Sequence, residues 1–166
     1  MGADIHISIE IMDLNGKWRD GNLYRRNPIY SPETPGLEDE QGFEQVQIYT
    51  RRDYDLFSVL AGVRDEGNWP LFSHPRGLPA NATHATVKLS TGEYNHSHSY
   101  ATLNELLFFD ETHRDELLYA PNSIIGQGDV LSPFLDAIEQ HRTFLETAYR
   151  TTIPPARIRV VFWFDG

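Results

Sequence analysis

Residues 4–12 read DIHISIEIM and residues 157–166 read RIRVVFWFDG, and these two stretches decide the fold. Isoleucine occupies every second position from 5 to 11 in the first, and apolar side chains occupy every second position from 158 to 164 in the second. Alternation with a period of two indicates a β-strand with one apolar face. We therefore predict that both ends of the chain form strands of one sheet.

The opposite faces of these two strands carry mostly polar side chains, namely Asp4, His6, Ser8, Glu10, Trp163 and Asp165. Such a face is typical of an antiparallel sheet that is solvated on one side. With a tryptophan among its polar groups, it could equally form the floor of a binding site. The sequence leaves both interpretations open.

Outward from the first strand, Asn15-Gly16 predicts a type I′ hairpin turn, because both central residues of that turn need a positive φ. Residues 18–26 are the predicted returning strand. Residues 27–44, rich in proline and acids, are a predicted surface loop. We also expect an irregular segment over 68–81 and a short strand over 83–91.

Three capping signals predict three helices: Thr50 with Asp53, Thr102 with Glu105, and Ser132 followed by Pro133. Pro154-Pro155 marks the end of the third helix. The sequence thus predicts a single α+β domain over residues 1–166, with a mainly antiparallel sheet and about three helices packed on its apolar face.

Composition limits the classes of partner. The 166 residues include 24 acids, 14 bases and no cysteine, for a formal net charge of −10. A long nucleic acid is an unfavourable partner, because binding a phosphate backbone needs a basic surface. Disulfides, thiolate metal ligands and a cysteine nucleophile are excluded. No stretch approaches the roughly 20 apolar residues of a membrane span, and the first residues lack a secretory-signal pattern, so we expect a cytoplasmic protein with no membrane partner.

Asp4 and His6 project from the same face of the first predicted strand and are the first catalytic candidates. A carboxylate beside an imidazole fixes its tautomer and raises its basicity, so we expect Asp4 to orient His6. The alternative is that both are ordinary side chains of a solvated sheet face.

The segment His96-Ser97-His98-Ser99-Tyr100 places two of the seven histidines within three residues. In an extended strand, His96 and His98 would project to the same side, as in His-x-His metal pairs. The segment leads into the helix predicted at Thr102, whose first N–H groups attract phosphate. A polar loop that happens to hold histidines is the alternative.

Five side chains would together form a metal site of nitrogen and oxygen ligands: Asp4, His6, His96, His98 and Asp165. Such ligands suit zinc, manganese or iron. Without a metal, the same histidines and Asp4 would act as general acid and base. The sequence does not separate these two cases.

The candidates for contact with a small phosphate-containing ligand are Ser8, Arg51, Arg52, Arg76, Ser97, Tyr100 and Trp163, with Arg64 as a further arginine. The planar fork of arginine matches phosphate, and an aromatic ring can stack on a base. For each arginine, a salt bridge to one of the 24 acids is the alternative.

Two tetrads, His6-Ile7-Ser8-Ile9 and His84-Ala85-Thr86-Val87, resemble the motifs of the two-histidine phosphoesterase superfamily. In that superfamily, two such tetrads on strands cleave phosphodiesters without a metal. The resemblance implies that His6 and His84 would act together, which makes it a competitor of the His6, His96 and His98 set.

A second resemblance covers the chain from its first residues to its last. It is carried by MGADIH (1–6), RRDYDLFSVLAGVR (51–64), PRGLP (75–79), HSHSYATLNEL (96–106) and VVFWFD (160–165). Together these blocks resemble a family of small proteins that is frequent in bacteriophage genomes. The resemblance implies a phage or prophage setting and brings no activity with it. The His84 tetrad lies outside these blocks.

Two classes of function follow. The first is a small hydrolase, a phosphodiesterase that acts on a nucleotide or cyclic-nucleotide signal of host defence, in the host cytoplasm. The second is a binding protein that sequesters such a nucleotide, or a host protein, without cleaving it. The sequence leaves open whether the protein forms a homo-oligomer and what the acidic loop does.

Overall fold

A computed structural model of the chain describes residues 2–27, 42–65, 67–118 and 129–166. Four strands form an antiparallel sheet in the order β2-β1-β6-β5: β1 (Asp4–Met12), β2 (Trp18–Asp20), β5 (His96–Thr102) and β6 (Ile158–Asp165). Strands β3 (Tyr24–Arg26) and β4 (Phe43–Gln45) pair in a second, two-stranded sheet. The prediction that both ends of the chain lie in one sheet is confirmed, and β1 and β6 are neighbours.

The register of β1 and β6 sorts their side chains onto two faces. Ile5 pairs with Phe164 and Ile7 with Phe162, so these residues lie on the apolar face. The alternate pairs, among them Asp4 with Asp165 and His6 with Trp163, lie on the other face, which we call the polar face. Successive residues of a strand point to opposite faces, so this register follows directly from the alternation in the sequence.

The described residues form five helices: α1 (Tyr54–Ala61), α2 (His84–Ser90), α3 (Leu103–Thr112), α4 (Arg114–Leu118) and α5 (Ser132–Tyr149). Buried side chains of α1, α3 and α5 join the apolar face of the sheet in one core, where the ring of Phe57 lies 5.1 Å from that of Phe164. Helix α2 instead packs on the polar face, where Thr86 bonds to Ser8. The α+β fold class is confirmed.

Local signals were confirmed in part. The capping box of Thr102 and Glu105 begins α3 as predicted. Helix α1 is capped by Asp53, whose side chain accepts from the N–H groups of Asp55 and Leu56, so Thr50 is not its cap. Ser132 is the first residue of α5 and bonds to Asp129, so the predicted Ser132 cap is wrong. In both helices an aspartate accepts from the first N–H groups: Asp53 does so in α1, and Asp129 accepts from Leu131 and Ser132 at the start of α5.

The hairpin after β1 is present, but its turn is not of type I′. Gly16 has a positive φ of 79°, whereas Asn15 does not, and the loop closes through the N–H of Asp13 donating to the carbonyl of Lys17. The predicted returning strand over 18–26 is interrupted after Asp20. Gly21 still donates to the carbonyl of Ile9 at 2.9 Å and packs so close to β1 that a Cβ there would lie 3.1 Å from the Ile9 side chain.

Most of the predicted strand over 83–91 is instead helix α2 (His84–Ser90). Thr83 accepts from the N–H of Thr86 and begins α2. Its β-branched residues suggested a strand, but the capping threonine decided the conformation. The irregular segment over 68–81 is confirmed, apart from turns. Most of the predicted acidic loop, residues 28–41, lies outside the described residues. Within the described ranges, no helix is long and apolar enough to cross a membrane.

Candidate functional site

The polar face of the sheet has two ends: helix α2 covers one of them, and the other is partly exposed to solvent. At one end, which we call the closed end, Glu10 is fully buried and pairs with Arg159 at 2.6 Å. The guanidinium of Arg159 also lies 4.1 Å from the ring centre of Trp18 and donates to Asn81. Glu10 accepts two further bonds from the segment that begins α2, the N–H of Thr83 and the hydroxyl of Thr86.

Ser8 belongs to the closed end. Its side chain is fully buried and shares hydrogen bonds with the hydroxyl of Thr86 and the amide of Asn22. A ligand cannot reach Ser8 while α2 covers it. The structure thus places Ser8, a predicted substrate contact, beneath α2 and away from the exposed part of the polar face, and its role in substrate binding stays a prediction.

The other end of the polar face, which we call the open end, holds a histidine and a carboxylate in contact. Nε2 of His6 lies 2.8 Å from Oδ2 of Asp165, and Oδ1 of Asp165 accepts from the N–H of Asp4. The side chains of His6 and Asp165 are 37% and 35% exposed. In the neutral imidazole, a proton on Nε2 bonded to Asp165 leaves Nδ1 as the acceptor. Such a pair can accept a proton from water or from a ligand.

Asp4 pairs with Arg52 instead of orienting His6. Two bonds of 2.8 Å join Nε and Nη2 of Arg52 to the two carboxylate oxygens of Asp4. The Arg52 guanidinium holds the pKa of the Asp4 carboxyl below its usual range. The carboxylate that contacts His6 belongs to Asp165, because the antiparallel register brings Asp165 beside Asp4 from the neighbouring strand. The predicted Asp4–His6 pairing is wrong.

Trp163 separates the two candidate histidines of the polar face. Its ring is stacked on His6 at a centroid distance of 6.1 Å and on His98 at 6.0 Å, and β6 lies between β1 and β5. The residue is only 3% exposed. The structure thus places Trp163 between two histidine rings and almost out of contact with solvent, and its role in substrate binding stays a prediction.

His96 and His98 do not share a side. The register of β5 against β6 shifts between His96 and Ser99, and Ser97 has a positive φ of 54°. His96 pairs with Phe164 of the apolar face, whereas His98 stacks on Trp163 and its Nε2 contacts the carbonyl of Ser90. A bulge adds one residue to a strand and breaks its alternation, which the sequence pattern could not reveal.

The five predicted metal ligands therefore do not converge on one point. Asp4 and Asp165 are held by Arg52 and His6, Trp163 stands between His6 and His98, and His96 faces the apolar side. Across the described residues, no three histidine or acidic side chains are grouped to hold a metal ion. The predicted metal site of all five ligands is therefore wrong, whereas the roles of His96 and His98 as general acid or base without a metal stay predictions.

The remaining candidates near β5 fix local structure. Arg76 forms an ion pair with Glu105 at 2.8 Å, donates to the carbonyl of Tyr100 and stacks on Phe72. Ser97 bonds to Nδ1 of its neighbour His96. Arg76 is thus held by protein partners, while Ser97 and Tyr100 lie on β5, which β6 separates from the strand of His6.

Beside the open end lies a cavity of about 810 Å³, which we call the Arg52 cavity. It is lined by Arg51, Arg52, Asp53, Tyr54, Asp55, Ser58, Arg64, Asp65, Asn68 and Trp69. The predicted phosphate-binding residues Arg51 and Arg52 therefore line one space with Arg64. The sequence analysis does not predict Asp55, Asp65 or Trp69 as site residues. The high density of charged residues between positions 51 and 69 could have indicated them.

The second histidine tetrad is also placed by the structure. His84 is the first residue of α2 and lines a different cavity, together with Tyr24 and Lys88. The two-histidine resemblance requires both tetrads on strands, so this chain departs from that pattern.

Comparisons of the chain with protein-family models, with curated proteins and with solved structures return no match.

Proposed function

We propose that the protein is a small phosphodiesterase-type hydrolase that acts on a nucleotide or cyclic-nucleotide signal at the open end. The observation that carries the proposal is the His6–Asp165 pair, partly exposed and adjacent to an arginine-lined cavity. A histidine held by a carboxylate is a common general base. Phosphate esters need cationic side chains to hold the anion, and Arg52 lies next to the pair.

In the proposed reaction, Nδ1 of His6 accepts a proton from a water molecule as the water oxygen attacks phosphorus. The bond from phosphorus to the ester oxygen breaks, and that oxygen leaves with a proton from solvent. Asp165 keeps the imidazole in the required tautomer and stabilises its protonated form. Arg52 uses Nε and one N–H of Nη2 on Asp4, so other N–H groups of its five remain for the phosphate.

The reaction is proposed to proceed without a divalent metal, because the described part of the chain groups no three metal ligands. The resemblance to bacteriophage proteins supports a setting in which removal of a nucleotide signal disarms host defence. The protein would then act in the host cytoplasm on a small phosphate-containing ligand.

Sequestration without cleavage is the second candidate. The observation that favours sequestration is the burial of Ser8, which carries the hydroxyl nearest to His6 along β1. This hydroxyl is bonded to Thr86 and Asn22. Covalent catalysis by that hydroxyl is therefore unavailable. Under this candidate, the open end and the Arg52 cavity would hold a nucleotide that is released unchanged.

The test is chromatography of cyclic di- and trinucleotides after incubation with the protein, with and without EDTA. We expect cleavage that EDTA does not affect, and a loss of about 10²–10⁴-fold in rate for His6→Ala with an unchanged unfolding midpoint. The matched control is His113→Ala, because His113 forms a similar pair with Glu116 at 2.9 Å away from the site. Recovery of intact ligand from denatured protein would leave only sequestration.

A further inference from the structure

The Arg52 cavity is lined by side chains that neither general-base catalysis by His6 nor phosphate binding requires. Besides its three arginines, it is lined by three carboxylates and by the aromatic rings of Tyr54 and Trp69. Hydrolysis at the open end uses Arg52 alone among these residues. A volume of about 810 Å³ is in the range of pockets that enclose a small organic ligand.

The wall of this cavity is held in a fixed arrangement. Asp55 and Ser58 are three residues apart on α1 and therefore share a helix face. Oδ1 of Asp55 accepts from the indole N–H of Trp69 at 2.9 Å, and Oδ1 of Asp65 accepts from the hydroxyl of Ser58 at 2.7 Å. Two hydrogen bonds thus fasten the loop that follows α1 to the helix, and both involve carboxylates that line the cavity.

Each of these two carboxylates has one oxygen to which no described residue donates. Oδ1 of Asp65 takes a second bond from the N–H of Gly67, whereas the structure gives Oδ2 of Asp65 and Oδ2 of Asp55 no donor within the described residues. The hydrogen bonds from Ser58 and Gly67 lower the pKa of Asp65, so its carboxyl group is ionised at neutral pH. An ionised carboxylate only accepts hydrogen bonds.

The lining therefore suits a ligand that offers donors to the carboxylates, an anion to the arginines and a flat face to Trp69, since the ring of Tyr54 already has the guanidinium of Arg64 at 5.6 Å from its centre. A nucleotide satisfies all three requirements, and its base is constrained further. On its Watson–Crick edge, guanine has two adjacent donors, N1–H and the N2 amino group. Adenine presents its N1 as an acceptor on that edge, which a carboxylate would repel.

We propose that the Arg52 cavity is the nucleobase subsite of the open end and that it selects guanine. Asp55 and Asp65 accept from the two N–H donors of the base, and Arg51 and Arg52 hold the phosphate. The inference rests on the proposed function, because it names the substrate class of the same site. It also explains how a chain of net charge −10 holds an anion: the three lining arginines balance the three lining aspartates.

The test is calorimetric binding of GMP, IMP and AMP to the intact protein. We expect GMP to bind at least about tenfold more tightly than AMP, the scale of one charge-assisted hydrogen bond. IMP lacks the N2 amino group and keeps N1–H, so its affinity should fall between the two. Guanosine should bind more weakly than GMP, because it lacks the phosphate.

Asp65→Asn is the decisive variant. The asparagine oxygen can still accept from Ser58 and Gly67, so the loop is retained, while an amide donor replaces the free oxygen. We expect the preference for GMP over AMP to fall at least about tenfold. Asp136→Asn on the exposed side of α5 is the matched control and should leave the preference unchanged.

Equal affinities for the three nucleotides, no binding of any of them, or an unaltered preference in Asp65→Asn would each overturn the inference. These outcomes are separable from failure of the proposed function. Selective binding of GMP with no cleavage of any dinucleotide would remove the hydrolase and keep the guanine subsite. Cleavage by His6 without a base preference would keep the hydrolase and remove the subsite.

Discussion

The two ends of the polar face carry similar residues and behave differently. Each end has a carboxylate from β1 paired with an arginine: Glu10 with Arg159 at the closed end, and Asp4 with Arg52 at the open end. At the closed end, Arg159 is 5% exposed, whereas at the open end the side chain of Arg52 is 52% exposed. The same type of ion pair therefore has a structural role at one end and remains available to a ligand at the other.

The cause of the difference is the cover above the sheet and not the strand itself. Helix α2 and the residues before it lie over Glu10 and Ser8: Thr83 and Thr86 donate to Glu10, Thr86 also bonds to Ser8, and Asn81 accepts from Arg159. Taking charges out of water is costly unless each has hydrogen-bond partners, and the closed end meets that condition. At the open end, among the described residues, the side chains of His6 and Asp165 stay 37% and 35% exposed and therefore remain in contact with solvent.

The largest effect on stability is expected from Glu10→Ala. This change leaves the guanidinium of Arg159 buried without its carboxylate, and removes the acceptor of Thr83 and Thr86. Removing one partner of a buried ion pair lowers the free energy of unfolding by about 3–5 kcal/mol. Chemical denaturation measures the free energy of unfolding, with Glu93→Ala, an exposed acid, as the control. A loss below about 1 kcal/mol would show that the closed end does not hold α2 in place.

A smaller loss is expected from Thr86→Val, which keeps the shape of the side chain and removes its hydroxyl. Ser8 and Glu10 would each lose one partner inside the closed end. Buried groups left without a partner cost about 1–3 kcal/mol. The measurement is again denaturation, with Thr143→Val on α5 as the control, since the hydroxyl of Thr143 bonds only to its own helix. An unchanged midpoint would mean that water replaces the hydroxyl.

The smallest effect on stability is expected from Asp4→Asn at the open end. Arg52 holds the pKa of Asp4 below its ordinary value, so the pair stabilises the folded protein above the unfolded pKa of about 4. This contribution is lost as the pH falls through the folded pKa. At pH 7 the unfolding midpoint should hardly move, because exposed pairs contribute little. Denaturation at pH 7 and pH 3 should show a slightly flatter acid dependence in the variant; a midpoint shift like that of Glu10→Ala would contradict the comparison.

Much of the fold could be predicted from the sequence, because it depends on local patterns. The alternation in β1 and β6, the capping box of Thr102 and the position of β6 at the end of the chain required only period and propensity. Several residues of the candidate site could also be predicted, because the sequence indicates His6, Asp165, Arg51 and Arg52 as candidates.

The partners within the site could not be predicted, for physical reasons. Whether Asp4 or Asp165 contacts His6 depends on the register of two strands that are far apart in sequence. The loss of His98 from the site depends on one extra residue in β5, marked by the positive φ of Ser97. The burial of Ser8 depends on the tertiary position of α2, a segment whose β-branched residues predict a strand.

The central claim is that His6, held by Asp165, is the general base of the open end. The most direct measurement is the rate of cleavage by Asp165→Asn beside that of Asp4→Asn, on the dinucleotide that the intact protein cleaves. The account predicts a loss of roughly 10²-fold or more for Asp165→Asn, because the imidazole loses its fixed tautomer, and a smaller change for Asp4→Asn. Full activity of the Asp165→Asn protein, or a larger loss in Asp4→Asn, would contradict it.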